Sequence, residues 1–385
     1  MQLEAITGAV KALQPELVSF LEEIVNLDSP TEDKELTDRV GDILQQKAES
    51  LGMTCRRDKQ SDFADNRVCR LESKGKSPRI LMVGHFDTVY AAGTTAERPF
   101  RVHGGRATGC GVLDMKGGLA IGLFALQALR EALGEVPLPV TFIFNSDEEI
   151  GSPASRKLIE REARRHDLAL VLEPGRQGPA IAVARKGVAI FQLEITGREA
   201  HAGAEPENGI NAIVEAAYKV LAINALNEET AGTTVTPGVI RGGTKPYVVP
   251  GRTTLSVDCR VTDAEEQARV TAGIEAAVRI AYVPGTRTRL SGGFHRPPME
   301  LSPAAAAYVE KMQAVAEEVG YPLATAETGG ASDGNLTAAA GTPTLDGLGA
   351  HGARAHSDEE YIEVASLEGK CRVLAAFLAR LAEAE

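Results

Sequence analysis

Apolar residues recur at helical spacing over 3–27, and Asp28-Ser29-Pro30 stops the pattern. A second helix is expected over 32–51, ended by Gly52, with short strands at 54–57 and 66–71. Residues 79–83, 140–144 and 168–172 are short, nearly continuous apolar runs, the pattern of strands buried on both faces. Helical patterns over 117–133 and 155–165 separate them. This alternation predicts an α/β fold: a mixed, mostly parallel sheet sandwiched by helices.

After Glu173-Pro174-Gly175 the rhythm changes. A long stretch of β-formers covers 180–197, and an amphipathic helix covers 210–226. Strands at 233–241 and 253–261, a helix at 265–281 and a strand at 287–292 follow. This β-α-β-β-α-β order resembles a ferredoxin-like split unit, an inserted α+β domain over 179–292. The host domain is then 1–178 plus 293–385. It resumes with a helix over 303–319, a Gly-rich loop, a strand at 342–345 and a last helix over 367–384.

Composition narrows the setting. A chain of 385 residues exceeds one ordinary core, in keeping with two domains. The net charge of −12 argues against nucleic acid or an anionic membrane as the main partner, without excluding a local basic pocket. No apolar stretch reads as long enough to span a bilayer, and Met1 to Val10 lacks the pattern of a secretory signal. The five cysteines are odd in number and include no CxxC pair, so reduced thiols and a cytoplasmic location are expected. Cys110 stands out because it lies in a Gly-rich motif.

The chemistry gathers where the apolar runs end. In Gly84-His85-Phe86-Asp87-Thr88-Val89, the His and Asp share one face of a strand end. An imidazole ligates divalent metals, and a neighbouring carboxylate can orient it. Asp114 lies in Gly109-Cys110-Gly111-Val112-Leu113-Asp114-Met115-Lys116-Gly117-Gly118, as a helix cap or a ligand. Ser146-Asp147-Glu148-Glu149-Ile150-Gly151 is a solvated acidic turn or a site, and its place after a buried strand favours a site. Glu173-Pro174 follows another buried strand. His356 precedes Ser357-Asp358-Glu359-Glu360, which also fits the flank of a short helix. His85, Asp114, Glu149, Glu173 and His356 together form the donor set of a two-metal hydrolase. Each metal takes one His and one carboxylate, and a third carboxylate bridges. Such donors favour zinc, with cobalt or manganese as alternatives. Asp87 and Glu148 remain without a ligand role, and the residues alone leave Glu148 and Glu149 interchangeable.

These ordered segments resemble the co-catalytic zinc metallopeptidase family. It includes glutamate carboxypeptidases, acetylornithine deacetylase, succinyl-diaminopimelate desuccinylase, aminoacylases and tripeptidase. The resemblance runs over nearly the whole chain and is nearest to the glutamate carboxypeptidase-like branch, through Arg185-Lys186-Gly187 and Glu207-Asn208-Gly209-Ile210-Asn211-Ala212. It implies that His85 and His356 each hold one of two zinc ions, that Asp114 bridges, and that Glu149 and Glu173 complete the sites. Glu148 would be the general base, and Asp87 would orient His85. In Glu199-Ala200-His201-Ala202-Gly203, it implies that His201 reaches the partner subunit's active site and polarises the scissile carbonyl. A homodimer through the inserted domain follows. Arg260 would hold the substrate carboxylate, with Gly330 and Ser332 in a substrate-facing loop. The implied activity is hydrolysis of an amide bond next to a free carboxylate in a small-molecule substrate, as a metallocarboxypeptidase. The alternatives are an N-acyl-amino-acid deacylase and, remotely, a non-catalytic binding protein on the same fold. Tyr247 departs from the family pattern, where an Asn is usual.

Overall fold

The computed structural model describes residues 2–73, 78–175 and 178–383. It divides into two compact units. The first comprises Met1–Ala184, Leu301–Thr328 and Ser332–Glu385; the second comprises Arg185–Glu300 with Gly329–Ala331.

In the first unit a six-stranded sheet runs in the order Thr54–Asp58, Asn66–Leu71, Val140–Asn145, Ile80–His85, Leu168–Val171, Thr344–Leu345. The last four strands are mutually parallel, and the two at the other edge are antiparallel. The central strand Ile80–His85 is buried along its whole length. Ile80 and Met82 enter one apolar cluster, whereas Leu81 and Val83 enter another on the opposite face. The helices Gln2–Val25, Gly117–Leu133 and Val364–Ala382 cover the first face, and Arg156–Ala163 and Asp333–Ala339 cover the second. A sheet buried on both faces needs apolar residues at every position, which is why its strands appear as unbroken runs.

The second unit is a four-stranded antiparallel sheet ordered Thr234–Gly242, Arg252–Val261, Gly187–Thr196, Arg287–Arg296. Its strands alternate buried with more exposed positions, because the helices Ala212–Asn224 and Ala264–Arg279 cover one face. The topology is that of the expected split unit.

Several expectations need correction. The β-forming stretch over 180–197 breaks into two strands, Ala180–Arg185 and Gly187–Thr196. The former pairs with Ala324–Thr328, so it falls mostly in the first unit and moves the division from 178/179 to 184/185. The strand Arg287–Arg296 runs past 292, which carries the second division to 300/301. Cys55 and Cys69 face each other on adjacent antiparallel strands and form a disulfide, against the expectation of five reduced thiols. That thiol argument for a cytoplasmic location therefore falls. Cys110, Cys259 and Cys371 are free and buried. One helical run, Val112–Leu133, does have the length and hydropathy to cross a bilayer, but 89% of its most apolar 18-residue window lies buried inside the fold. The expected last helix ends at Ala382, and Ala384 lies outside the described residues.

Candidate metal centre

Three parallel strands deliver their C-terminal ends to one place, the position at which open α/β sheets bind ligands. Ile80–His85 ends in His85, Val140–Asn145 leads into Glu148 and Glu149, and Leu168–Val171 leads into Glu173. Asp114 comes from the turn before the helix Gly117–Leu133, and the peptide between Asp114 and Met115 is cis. His356 sits in a loop, with its own backbone in the left-handed region at φ 62.

His85 is buried, and its Nδ1 lies 3.0 Å from the Asp87 carbonyl oxygen. A carbonyl only accepts, so Nδ1 carries the proton. In the neutral ring, Nε2 then presents a lone pair to Asp114 Oδ1 at 3.2 Å and Glu173 Oε1 at 3.7 Å. His356 Nε2 likewise faces Asp114 Oδ2 at 3.3 Å and Glu149 Oε2 at 3.2 Å. The two oxygens of Asp114 thus face the two imidazoles. Lone pairs converge in this way only around a cation or a proton. Donors about 2.0–2.1 Å from a tetrahedral ion are spaced by about 3.4 Å, which matches these separations. Donor atoms of His85, Asp114 and Glu149 fall within 4.8 Å of one another, as do those of His85, Glu148 and Glu173. Proximity alone does not separate Glu148 from the ligands.

The electrostatics agree. Burial opposes charging of His85, but contacts with Asp114 and Asp87 hold its pKa well above the ordinary imidazole value. Asp114 and Glu149 push His356 up to about 10. Burial works against ionised Asp114, yet His356 and His85 bring its carboxyl below the usual range. Burial raises the Glu149 carboxyl despite its contact with His356.

The Asp87 side chain ties separate segments together. Its carboxylate accepts from the Thr31 hydroxyl at 2.7 Å and from the Glu148 and Glu149 N–H groups at 3.2 and 3.3 Å. It ties the His85 strand to the loop of paired acids. Thr31 was not visible as a site residue in the sequence. Nor was Glu360, which is buried and accepts from the backbone N–H groups of Gly111, Leu113 and Asp114. Tyr90 donates its hydroxyl to the same carboxylate at 2.6 Å. Glu360 thereby fixes the loop that carries Asp114. The acidic run after His356 was the only signal of it, and nothing in that run tells which acid turns inward. Cys110, in the same segment, is buried, and burial raises its thiol pKa, so it is a poor nucleophile.

His201, Arg260 and Gly330 belong to the second unit. His201 is exposed, and its Nδ1 accepts from the N–H groups of Gly203 and Ala204. That fixes the tautomer with the proton on Nε2, an outward-facing donor. Asn208 donates to Glu205 and shapes the same loop. Arg260 is paired through Nε and Nη2 with Asp258, at 3.0 and 3.1 Å. The Gly330 carbonyl accepts from Arg185 at 3.2 Å. Ser332 corrects the expectation of a substrate contact. It is fully buried, donates to Asp346 at 2.6 Å and caps the helix Asp333–Ala339. His351 lies between the Tyr321 hydroxyl and Glu363, which is a structural setting.

The model of peptidase family M20/M25/M40 matches residues 81–380. Carboxypeptidase G2 of Pseudomonas sp. (strain RS-16) is 33% identical over 359 residues, which is 92% of this chain and 86% of that protein. Acetylornithine deacetylase of Myxococcus xanthus is 32% identical over 251 residues, covering 61% and 64% of the two chains. A tripeptidase from Staphylococcus aureus shares the fold at a TM-score of 0.81, with 23% identity over 96% of this chain and 99% of that one. With the family model spanning most of its length, the chain belongs to peptidase family M20/M25/M40 and is a metal-dependent hydrolase.

Proposed function

We propose that the chain is a two-metal hydrolase of an amide bond next to a free carboxylate, acting as a carboxypeptidase of the glutamate carboxypeptidase type. The observation that carries this reading is Asp114, whose two oxygens face His85 and His356 at 3.2 and 3.3 Å. The likeness to carboxypeptidase G2 over 92% of the chain supports the carboxypeptidase form. The likeness to acetylornithine deacetylase supports a second reading, removal of an N-acyl group by the same chemistry.

His85 and Glu173 would hold one ion, His356 and Glu149 the other, with Asp114 between them. Zinc suits these donors, with cobalt or manganese as alternatives. Two such ions would polarise the scissile carbonyl and acidify the attacking water. Glu148 takes the proton from that water and passes it to the leaving amine nitrogen. Asp87 keeps His85 and the Glu148 backbone in register. His201 donates its Nε2 proton to the oxygen that gains charge in the transition state, a role suited to a fixed tautomer. Arg260 keeps Nη1 for the substrate carboxylate while Asp258 holds the other edge of the guanidinium.

A homodimer through the second unit is part of the proposal. The helix Ala212–Asn224 turns Ile213, Val214, Tyr218 and Leu221 outward, and Leu221 is 69% exposed. It packs beside Thr234–Gly242, the edge strand of the four-stranded sheet. An apolar stripe next to an open edge suits a two-fold partner.

The test is Glu148→Gln. It should retain two metal ions per chain while kcat falls about 10²–10⁴-fold. Full turnover with both ions bound would refute the base. Fewer than two ions per chain at full activity would refute the bridge.

A further inference from the structure

A cavity of about 510 Å³ opens beside the ligand cluster, within the first unit. Asp114 and Glu173 belong to its wall, so it adjoins the reacting bond. The rest of the wall is low. Ala326, Ala353 and Ala355 contribute only methyl groups, and Gly175 and Gly352 contribute backbone. Gly352 is held to glycine by its strand partner, since a Cβ there would lie 1.8 Å from the Tyr361 carbonyl oxygen. Walls of this kind leave space for a large group, and an acetyl group would leave most of it empty.

Charge decides which half of the substrate enters. Arg354 lines the cavity, but its guanidinium is committed to Glu359. Glu327 also lines it, exposed, with no ion-pair partner among the described residues. Among the described residues of the wall, the one cation, Arg354, is paired, and Glu327, set apart from the proposed ligands Asp114 and Glu173, repels a carboxylate. Under the proposed function the leaving amine carries the free carboxylate. That half is unsuited to the cavity, which leaves the acyl half.

We infer that this cavity is the acyl-side subsite, that it takes bulky acyl groups without negative charge, and that Glu327 sets this charge preference. Aminoacyl and aroyl groups fit it; succinyl does not. The inference rests on the proposed function and sharpens it, because an enzyme removing succinyl groups would need a cation here.

The experiment is a set of substrates with one leaving amino acid and acetyl, benzoyl, lysyl or succinyl as the acyl group. The metal-loaded wild type should prefer benzoyl and lysyl to succinyl. Glu327→Lys should raise kcat/KM for succinyl relative to acetyl by about 10-fold, and lower lysyl relative to acetyl by a similar factor. Glu327→Gln should fall between. Ala353→Phe should lower kcat/KM for benzoyl relative to acetyl. Unchanged ratios with turnover intact would overturn the subsite alone. Failure of the loaded wild type to cleave any of the four would overturn the hydrolase reading, and the subsite with it.

Discussion

At the scale of single residues, the centre depends on carboxylates that never need to touch a substrate. Glu360 satisfies three backbone N–H groups of the Asp114 loop. Glu360→Ala would leave those donors buried and unmatched, at a cost of about 1–3 kcal/mol for each one left without water. The expected outcome is a lower melting temperature together with weaker metal retention against a chelator. A melting change with unaltered metal affinity would show that Glu360 does not position Asp114. A second prediction concerns acid and base. In the metal-free chain His356 is raised from 6.5 to about 10 by Asp114 and Glu149. A proton bound more tightly in the folded state stabilises it fully below pH 6.5, and that contribution is lost as pH rises through about 10. A metal requires the neutral ring, so binding releases protons and strengthens with pH. Melting curves should therefore fall from pH 6.5 toward 10 with chelator present, and this slope should reverse with saturating zinc. Parallel slopes in both conditions would contradict the shared use of His356.

At the scale of elements, the site is a meeting of strand ends held by one close approach. The helix Gly117–Leu133 begins against the strand that leads to Glu173, and a Cβ at Gly118 would lie 1.9 Å from the Leu172 carbonyl oxygen. Only a bare backbone permits that contact, which brings the Asp114 turn level with Glu173. Gly118→Ala should destabilise the protein by about 3 kcal/mol or more, read by denaturant unfolding, and should lower metal occupancy in whatever fraction folds. Stability within about 0.5 kcal/mol of the original would show that the helix moves freely on the sheet. The elements themselves were largely legible. The strand Ile80–His85 and the helix Gly117–Leu133 announce themselves through continuous and helical apolar patterns. The break at Lys186 was not legible, because both flanks are β-forming and only pairing with different partners separates them. The disulfide was missed for a similar reason. Cys55 and Cys69 meet through strand register, which cysteine spacing does not encode.

At the scale of the whole molecule, the open apolar stripe on Ala212–Asn224 bears on assembly. Leu221→Glu should convert a dimer to a monomer in light scattering while the chain keeps its folded circular dichroism spectrum, since the side chain is 69% exposed. A chain that is monomeric before the change would remove the dimer from the proposal. The sequence by itself determined the fold class, the two-part organisation and the residues available for metal chemistry. Buried strands demand apolar runs, and ligand types are a matter of composition at the ends of those runs. Tertiary structure alone decided how the acids divide. Glu360, Asp87 and Asp114 have the same functional group, yet one gathers backbone N–H groups, one ties two loops, and one faces two imidazoles. The role of a carboxylate is set by which donors surround it, and those donors come from segments tens to hundreds of residues apart. The same holds for Ser332, which the motif placed beside a substrate and the packing turned inward to cap a helix.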